Sequence, residues 1–263
     1  MPNPNAPIYL VLAEVRFSPV LTLEGYVPAI QEKLRRNGFP DFQRRVSQQL
    51  VFSTQPNADS TQVAPNFASQ TSYVFADIER QQIITLGTGS LSFQTSGYEN
   101  FQTFSQAFLE ILGFIHEIIS IDFFEHVGIR YLDAIKPNQA NHFGEDLVPE
   151  AFGISHFMEG KLRHSYSETL LEDGFERIFA RVYIQNGILA IPADLFGFTP
   201  QFPQRFSSIN GLHAILDNDA AYTRREIFSL EKIADILGRI KARTSGSFKK
   251  MVTPAALQKW GIV

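Results

Sequence analysis

Cysteine is absent from the chain, which excludes disulfide bonds, thiolate metal sites and a cysteine nucleophile. Long apolar runs are also lacking, because Glu14 and Arg16 interrupt the N-terminal apolar stretch, and no basic segment precedes it. We therefore expect neither a signal peptide nor a membrane span. Basic residues are not in excess either: the net charge is -4, which leaves nucleic acid as only a weak candidate partner. These absences favour a cytoplasmic protein whose fold depends on packing.

Phenylalanine, by contrast, is abundant, with 24 copies in 263 residues. Hydrophobic residues make up 44% of the chain and charged residues 19%, which is typical of a globular protein. A chain of this length buries roughly three quarters of the surface that its unfolded form exposes. The composition predicts a large aromatic core, in one domain or in two intimate halves.

Apolar periodicity predicts several elements in the first part of the chain. Residues 8 to 17 carry apolar side chains on both faces, which is typical of a central strand. A helix follows, begun by Thr22 and ended at Asn37-Gly38. We further predict strands at 43 to 54, 71 to 80 and 82 to 95, a long loop at 55 to 69, and a turn or bulge at Gly87-Thr88-Gly89.

A second helix has the strongest pattern in the sequence. Ser96 and Glu99 are three residues apart and precede a long apolar period, as in a capping box. The apolar stripe that follows consists of Phe101, Phe104, Phe108, Ile111, Leu112, Ile115 and Ile119. We interpret it as the face of a helix that packs on a sheet. The stretch HVGIRYLDAI, residues 126 to 135, then predicts a strand.

The second part of the chain predicts a similar series. Residues 163 to 172 and 175 to 185 are strand-like, and Asn186-Gly187 predicts a hairpin that joins 178 to 185 with 188 to 195. A strand at 211 to 222 and a last helix from about Ser229 to Pro254 follow.

These elements predict an α+β fold with two related halves. Each half would consist of antiparallel strands followed by a long amphipathic helix packed on the sheet. The halves would be residues 1 to 136 and 137 to 263, and the alternative is that they form one intimate domain.

Arg130 and Asp133 are the charged residues of the strand at 126 to 135. Alternation places Tyr131 and Asp133 on one face and Arg130 on the other, so the two charges cannot be partners on a regular strand. A buried guanidinium must be paired, because an isolated charge in a core costs several kcal/mol. We predict a structural ion pair between Arg130 and Asp217 or Asp219. A surface arrangement and a catalytic or ligand-binding role are the alternatives.

Recognisable catalytic motifs are not found in the sequence. GTGS at 87 to 90 has neither the spacing nor the lysine of a phosphate loop, the six histidines show no ligand spacing, and no serine lies in a GxSxG turn. Asp217 and Asp219 could bind a cation or act as an acid/base pair, but two carboxylates alone are a weak signal. We predict no metal and no cofactor.

The loop at 194 to 206 is rich in phenylalanine and is punctuated by Pro and Gly. It carries Phe196, Phe198, Phe202 and Phe206. One interpretation is a loop folded over the core. The other is an aromatic patch for a protein partner, or a lid on an apolar pocket. Basic residues also cluster at 33 to 45 and from Ser229 to Val263, as solvated helix faces or as a contact for an acidic protein or nucleic acid.

Three stretches resemble a known family: PIYLVLAEVRFSP at the N-terminus, EHVGIRYLDAI, and LDNDAAY with the C-terminal FKKMVTPAALQKWG. The family is a sporadically distributed group of uncharacterised bacterial proteins of similar length. Asn218 stands where its pattern has an apolar residue, and residues 137 to 208 match poorly. The resemblance implies a fold and a bacterial origin but no catalytic residues. The family's patchy distribution suggests defence or toxin-antitoxin gene neighbourhoods.

The sequence favours a non-catalytic binding or regulatory module that acts through a protein partner or by self-association. One alternative is a small-molecule binder with an apolar pocket between helices and curved sheets. The other is an enzyme that uses Asp217, Asp219 and Arg130.

Overall fold

Ten strands form a single antiparallel sheet in the computed structural model, which describes residues 5–57, 60–137, 143–195 and 199–262. Of residues 48–69 only the backbone is considered. The strands are β1 (Ile8–Phe17), β2 (Asp41–Asn57), β3 (Ser60–Ala76), β4 (Gln82–Gly87), β5 (Ser90–Thr95), β6 (Phe123–Ile135), β7 (Ser165–Asp173), β8 (Glu176–Ile188), β9 (Asn210–Tyr222) and β10 (Glu226–Ile227). Their order is β2-β3-β4-β5-β1-β6-β9-β8-β7, and β10 pairs with the start of β6.

The helices are α1 (Leu23–Arg36), α2 (Phe101–Ile119), α3 (Gln204–Ser207), α4 (Leu230–Met251) and α5 (Pro254–Trp260), with 3-10 helices at Pro149–Phe157 and Ala193–Leu195. Helix α2 contacts both α1 and α4, and α4 lies against β6 and β9. None of the helices in the described part of the chain has both the length and the hydropathy that a bilayer span requires.

Helices α1, α2 and α4 cover one face of the sheet. The ring of Phe104 in α2 stacks on that of Phe93 in β5, with the centroids 5.3 Å apart. The apolar side of α4, including Ile233 and Ile240, joins the same buried cluster. We call this side of the sheet the helical face. The burial of these large side chains is the main contribution to the stability of this layer.

The segment between β8 and β9 covers part of the opposite face. Phe206 is 4% exposed, and it packs with Leu132 and Ile215 of the sheet in a separate apolar cluster. The Tyr9 hydroxyl donates a hydrogen bond to the carbonyl oxygen of Ala190 at 3.2 Å. This contact fixes the segment against the first strand.

The predicted plan of two related halves is wrong. The sheet is continuous, because β6, which precedes residue 137, pairs directly with β9, which follows it. A long helix on each half of the sheet is not observed, since α1, α2 and α4 form one connected group over a single sheet. Long-range pairing between β6 and β9 is not visible in local periodicity, which is why the sequence suggested two units.

Three local predictions are also wrong. Asn186 and Gly187 do not form a hairpin, because β8 continues through them and pairs with Leu212 and Gly211 of β9. The predicted loop at 55 to 69 instead belongs largely to β2 and β3, which pair along their whole length. Helix α2 begins after Asn100, whose Oδ1 accepts a hydrogen bond from the Thr103 amide, and not at a Ser96-Glu99 capping box.

Candidate functional site

Arg130 is bonded to two acidic residues on the face opposite α4. Its Nε and Nη2 donate to the two carboxylate oxygens of Asp217, both at 2.7 Å. Its Nη2 also donates to Oδ1 of Asp194 at 3.2 Å. Burial by itself lowers the pKa of Arg130, but the hydrogen bonds that it donates to Asp217 and Asp194 outweigh this effect and raise the pKa above its usual value. The guanidinium is therefore charged and bidentately held.

A second arginine extends this network along the sheet. Arg181 of β8 donates from Nη1 to Asp217 at 3.3 Å and from Nε to Glu168 of β7 at 2.6 Å. Its Nη1 is also 3.7 Å from Asp219. Asp219 thus lies beside Arg181 in the structure, and register places it opposite Arg130. The pKa of Asp219 is raised, chiefly because burial disfavours the carboxylate.

The pair at the centre of this network, Arg130 and Asp217, offers little access to a substrate. Arg130 is 5% exposed and Asp217 is fully buried. Each charge of the pair has an opposite charge in contact, which is what a buried ion pair needs in order to be tolerated. The structure therefore brings Arg130 and Asp217 together directly, and their architectural role remains our interpretation.

Asp133, three residues after Arg130, lies on the helical face and lacks such support. Its side chain is buried, with the residue 2% exposed, and its Oδ1 has no hydrogen-bond partner among the described residues. Burial raises the pKa of Asp133 to about 8 because the low-dielectric interior disfavours the carboxylate.

Asn218 of β9 is a second unsatisfied group on the same face. It is fully buried, and its Oδ1 has no hydrogen-bond partner among the described residues. Its side-chain nitrogen donates to the sulfur of Met251 at 3.8 Å. A thioether is a weak acceptor, so this contact compensates little of the amide's lost hydration.

Asp133 and Asn218 line one cavity of about 380 Å³ between α4 and strands β1, β6 and β9. Its wall contains Tyr98 and Tyr131, whose rings meet edge to face with centroids 5.6 Å apart and whose hydroxyl oxygens are 3.5 Å apart. Burial raises the pKa of Tyr131, so the phenol is neutral. On the α4 side the wall is completed by Thr244, Ser245 and Phe248. We call this space the α4 cavity.

The mouth of the α4 cavity is mainly basic. The exposed residues that line it are Glu99, Arg205 and Lys249, and Lys241 is partly exposed. The Lys241 ammonium also lies 5.7 Å from the ring centroid of Phe101. Three basic side chains against one acidic side chain give the mouth a positive potential at neutral pH.

A larger cleft lies beside the 3-10 helix at Pro149–Phe157. Its volume is about 790 Å³, and Phe143, Phe152 and Leu212 contribute to its lining. Neither Asp133 nor Asn218 reaches it. A group of three or more residues suited to holding a metal ion is not found in the described part of the chain. The α4 cavity is thus the place where unsatisfied polar groups and accessible volume coincide.

The four phenylalanines predicted as a partner or ligand surface have different positions. Phe196 and Phe198 lie outside the described residues. Phe202 and Phe206 pack on Tyr9, with ring centroids 5.5 Å and 6.0 Å from the tyrosine ring. The described part of the loop therefore folds over the sheet, and its role in recognition remains a prediction.

Sequence reasoning did not place Asp133 or Asn218 in a site. Alternation located Asp133 on the same face as Tyr131, and Asn218 interrupted an expected apolar pattern. Both are polar residues at positions where the pattern calls for apolar ones. That signal was present, but the pairing of β6 with β9 was needed to bring the two residues together.

The comparisons with known proteins do not extend these observations. No protein-family model matches the chain, and no curated protein matches it significantly.

Proposed function

We propose that the protein binds a small molecule in the α4 cavity. The single observation that carries this proposal is that Asp133 and Asn218, whose buried Oδ1 atoms have no hydrogen-bond partner among the described residues, line the same cavity. A buried polar atom without a partner costs about 1 to 3 kcal/mol. A ligand with hydrogen-bond donors would remove that cost, which gives the site an affinity for such a molecule.

The size and shape of the cavity limit the ligand. Ligand sites commonly have volumes of about 300 to 1,000 Å³, and an engineered cavity of about 150 Å³ holds benzene. By that proportion the 380 Å³ of the α4 cavity would hold about fifteen non-hydrogen atoms. Tyr98, Tyr131 and Phe248 supply apolar walls, so the ligand should also have an apolar part.

A thermal-shift screen against a library of small metabolites tests the proposal. A ligand at one hundred times its Kd should stabilise the protein by about 2.7 kcal/mol, which corresponds to about 5 to 10 °C in Tm. In the variant Ser245→Trp, an indole would occupy the α4 cavity and should abolish the shift.

Ser247→Trp is the matched control. Ser247 is on the same helix and is also partly exposed, but it does not line the α4 cavity. This variant should keep the shift. If no compound shifts the wild-type Tm, or if Ser245→Trp responds as the wild type does, the α4 cavity is not a binding site.

Self-association is the second candidate function, and one observation favours it. Strand β7 ends the sheet, and among the described strands none pairs with its outer edge. Tyr166, Leu170 and Leu171 of this strand are exposed. An exposed edge with apolar side chains is suited to pairing with the same edge of a second copy of the chain. Light scattering should then give a dimer mass for the wild type and a monomer mass for Leu170→Pro, because register places the Leu170 amide on the outer edge of β7.

We propose that the protein acts in the bacterial cytoplasm and that its gene lies in a defence or toxin-antitoxin neighbourhood. What supports it is the resemblance of the GIRYLD motif and the C-terminal motif to a bacterial family. Fractionation of a host that expresses a tagged chain tests the compartment.

A further inference from the structure

The floor of the α4 cavity calls for a cationic group in its ligand. Asn218 Oδ1 is an acceptor, and the Asp133 carboxyl group is acceptor-only when it is ionised, so in that state both need a donor. A buried carboxylate is best compensated by an opposite charge in direct contact. The rings of Tyr98 and Tyr131 beside it present aromatic surface, which also attracts cations. An ammonium group satisfies all of these requirements at once.

The mouth of the α4 cavity favours a ligand group of the opposite charge, an anion. Arg205, Lys241 and Lys249 line it together with Glu99, so its potential favours an anionic group over a second cation. A ligand that extends from the floor to the mouth would therefore carry an ammonium group at one position and a carboxylate at another. The rest of the molecule would lie against Phe248 and the tyrosine rings.

We infer that the ligand of the α4 cavity is a zwitterion of the amino-acid class, with its ammonium group on Asp133 and Asn218 and its carboxylate toward Lys241 and Lys249. This inference rests on the proposed function. It adds the chemical class of the ligand and the orientation in which the site holds it.

Proton release on binding would be a specific signature of this arrangement. Burial raises the pKa of Asp133 to about 8, so in the empty cavity at pH 7 the carboxyl group is mostly protonated. An ammonium group in contact would favour the carboxylate, and binding would release about one proton at pH 7. The other ionisable groups that line the cavity are Tyr98, Glu99, Tyr131, Arg205, Lys241 and Lys249.

Calorimetric titration of the full chain with the standard amino acids, β-alanine and γ-aminobutyrate tests the inference. Each compound is compared with its decarboxylated amine and with its deaminated acid. We expect at least one amino acid to bind more tightly than both of its analogues. Its binding should be lost in Ser245→Trp and kept in Ser247→Trp, and it should release about one proton when measured in two buffers at pH 7.

Two variants test the orientation. Asp133→Asn should lower the affinity for the amino acid by about thirty-fold or more and should abolish proton release on binding. Lys249→Gln should lower the affinity for the amino acid by only about two- to five-fold, because exposed charges contribute little. It should leave the affinity for the amine unchanged. Lys250→Gln, the neighbouring exposed lysine outside the cavity lining, is the control and should change neither.

The outcomes distinguish a failure of the inferred ligand class from a failure of the proposed function. If the metabolite screen finds a ligand that Ser245→Trp blocks and that ligand lacks an ammonium group, the cavity binds small molecules but the inferred class is wrong. The same holds if an amine or an acid analogue binds as tightly as its parent amino acid, or if no amino acid binds. If no compound of either set is blocked by Ser245→Trp, the proposed function fails as well.

Discussion

Replacing Asp133 by asparagine should change how the stability of the ligand-free protein depends on pH. The pKa of the carboxyl group is about 8 in the folded protein and 3.8 in the reference state. Because the folded-state pKa of this acid is raised, its contribution to stability is present below about pH 4 and is lost as the pH rises toward 8. The full difference of about four pKa units corresponds to roughly 6 kcal/mol.

The slope of the free energy of unfolding against pH is more informative than the total change in that free energy. Between pH 5 and pH 7 the unfolded chain has lost the proton of Asp133 and the folded chain has kept it. The free energy of unfolding of the wild type should therefore fall by about 1.4 kcal/mol per pH unit on account of this residue. Asp133→Asn has no proton to lose at this position, and the tyrosines whose pKa the Asp133 charge raises, Tyr9, Tyr98 and Tyr131, stay neutral over this pH range.

Urea denaturation at pH 5, 6, 7, 8 and 9 measures this difference. The stability of Asp133→Asn minus that of the wild type should rise by about 1.4 kcal/mol per unit from pH 5 to pH 7 and level off above about pH 8. Tyr131→Phe keeps the carboxyl group and loses only a neighbouring hydroxyl, so its difference from the wild type should stay constant. A constant difference for Asp133→Asn as well would show that the carboxyl group is hydrated or paired, and would refute our account of the cavity floor.

Three further changes test the fold around the site by urea or thermal unfolding. Arg130→Met should lower the free energy of unfolding by about 3 to 5 kcal/mol, because it removes the bidentate partner of the buried Asp217. A decrease of less than about 1 kcal/mol would mean that the pair is effectively solvated. Phe206→Ala should lose about 3 to 5 kcal/mol, since it opens a cavity between the loop and the sheet. Ser229→Ala should cost about 1 kcal/mol, because its hydroxyl caps α4 by accepting from Lys232, and a lowering of Tm by about 2 to 4 °C should accompany it.

The sequence was informative where local chemistry decides the structure. Helix α4 begins after Ser229, as predicted, and β1 is a central strand, as its apolar residues on both faces suggested. The Gly87-Thr88-Gly89 segment forms the turn between β4 and β5. Helix α1 ends at Asn37, and Gly38 follows with a φ of 95°, a backbone conformation that glycine tolerates. In each case the determining residues lie within a few positions of one another.

Prediction failed where a distant strand decides the structure. Asn186-Gly187 is a strong local hairpin signal, but Gly187 is held opposite Gly211 by the long register of β8 with β9. Gly187 has a φ of 138° and Gly211 one of 126°, so the unusual backbone there is used within a strand pair and not in a turn. The same cause explains the two halves that the sequence suggested. The pairs that join β6 to β9, from Val127↔Tyr222 to Ile135↔Ala214, are 79 to 95 residues apart, and no local periodicity indicates them.

Arg130 and Asp133 of β6 differ in a way that bears on function. Arg130 has Asp217 and Asp194 as partners, so its burial is compensated within the fold. Asp133 faces the other way, and within the described part of the chain its Oδ1 has no such compensation. An apolar residue at this position would remove the desolvation cost and would extend the apolar clusters on either side. Folding alone thus gives no reason for a carboxyl group at residue 133. A ligand that supplies the missing donor gives one, because the group that costs stability in the empty protein then contributes affinity in the complex.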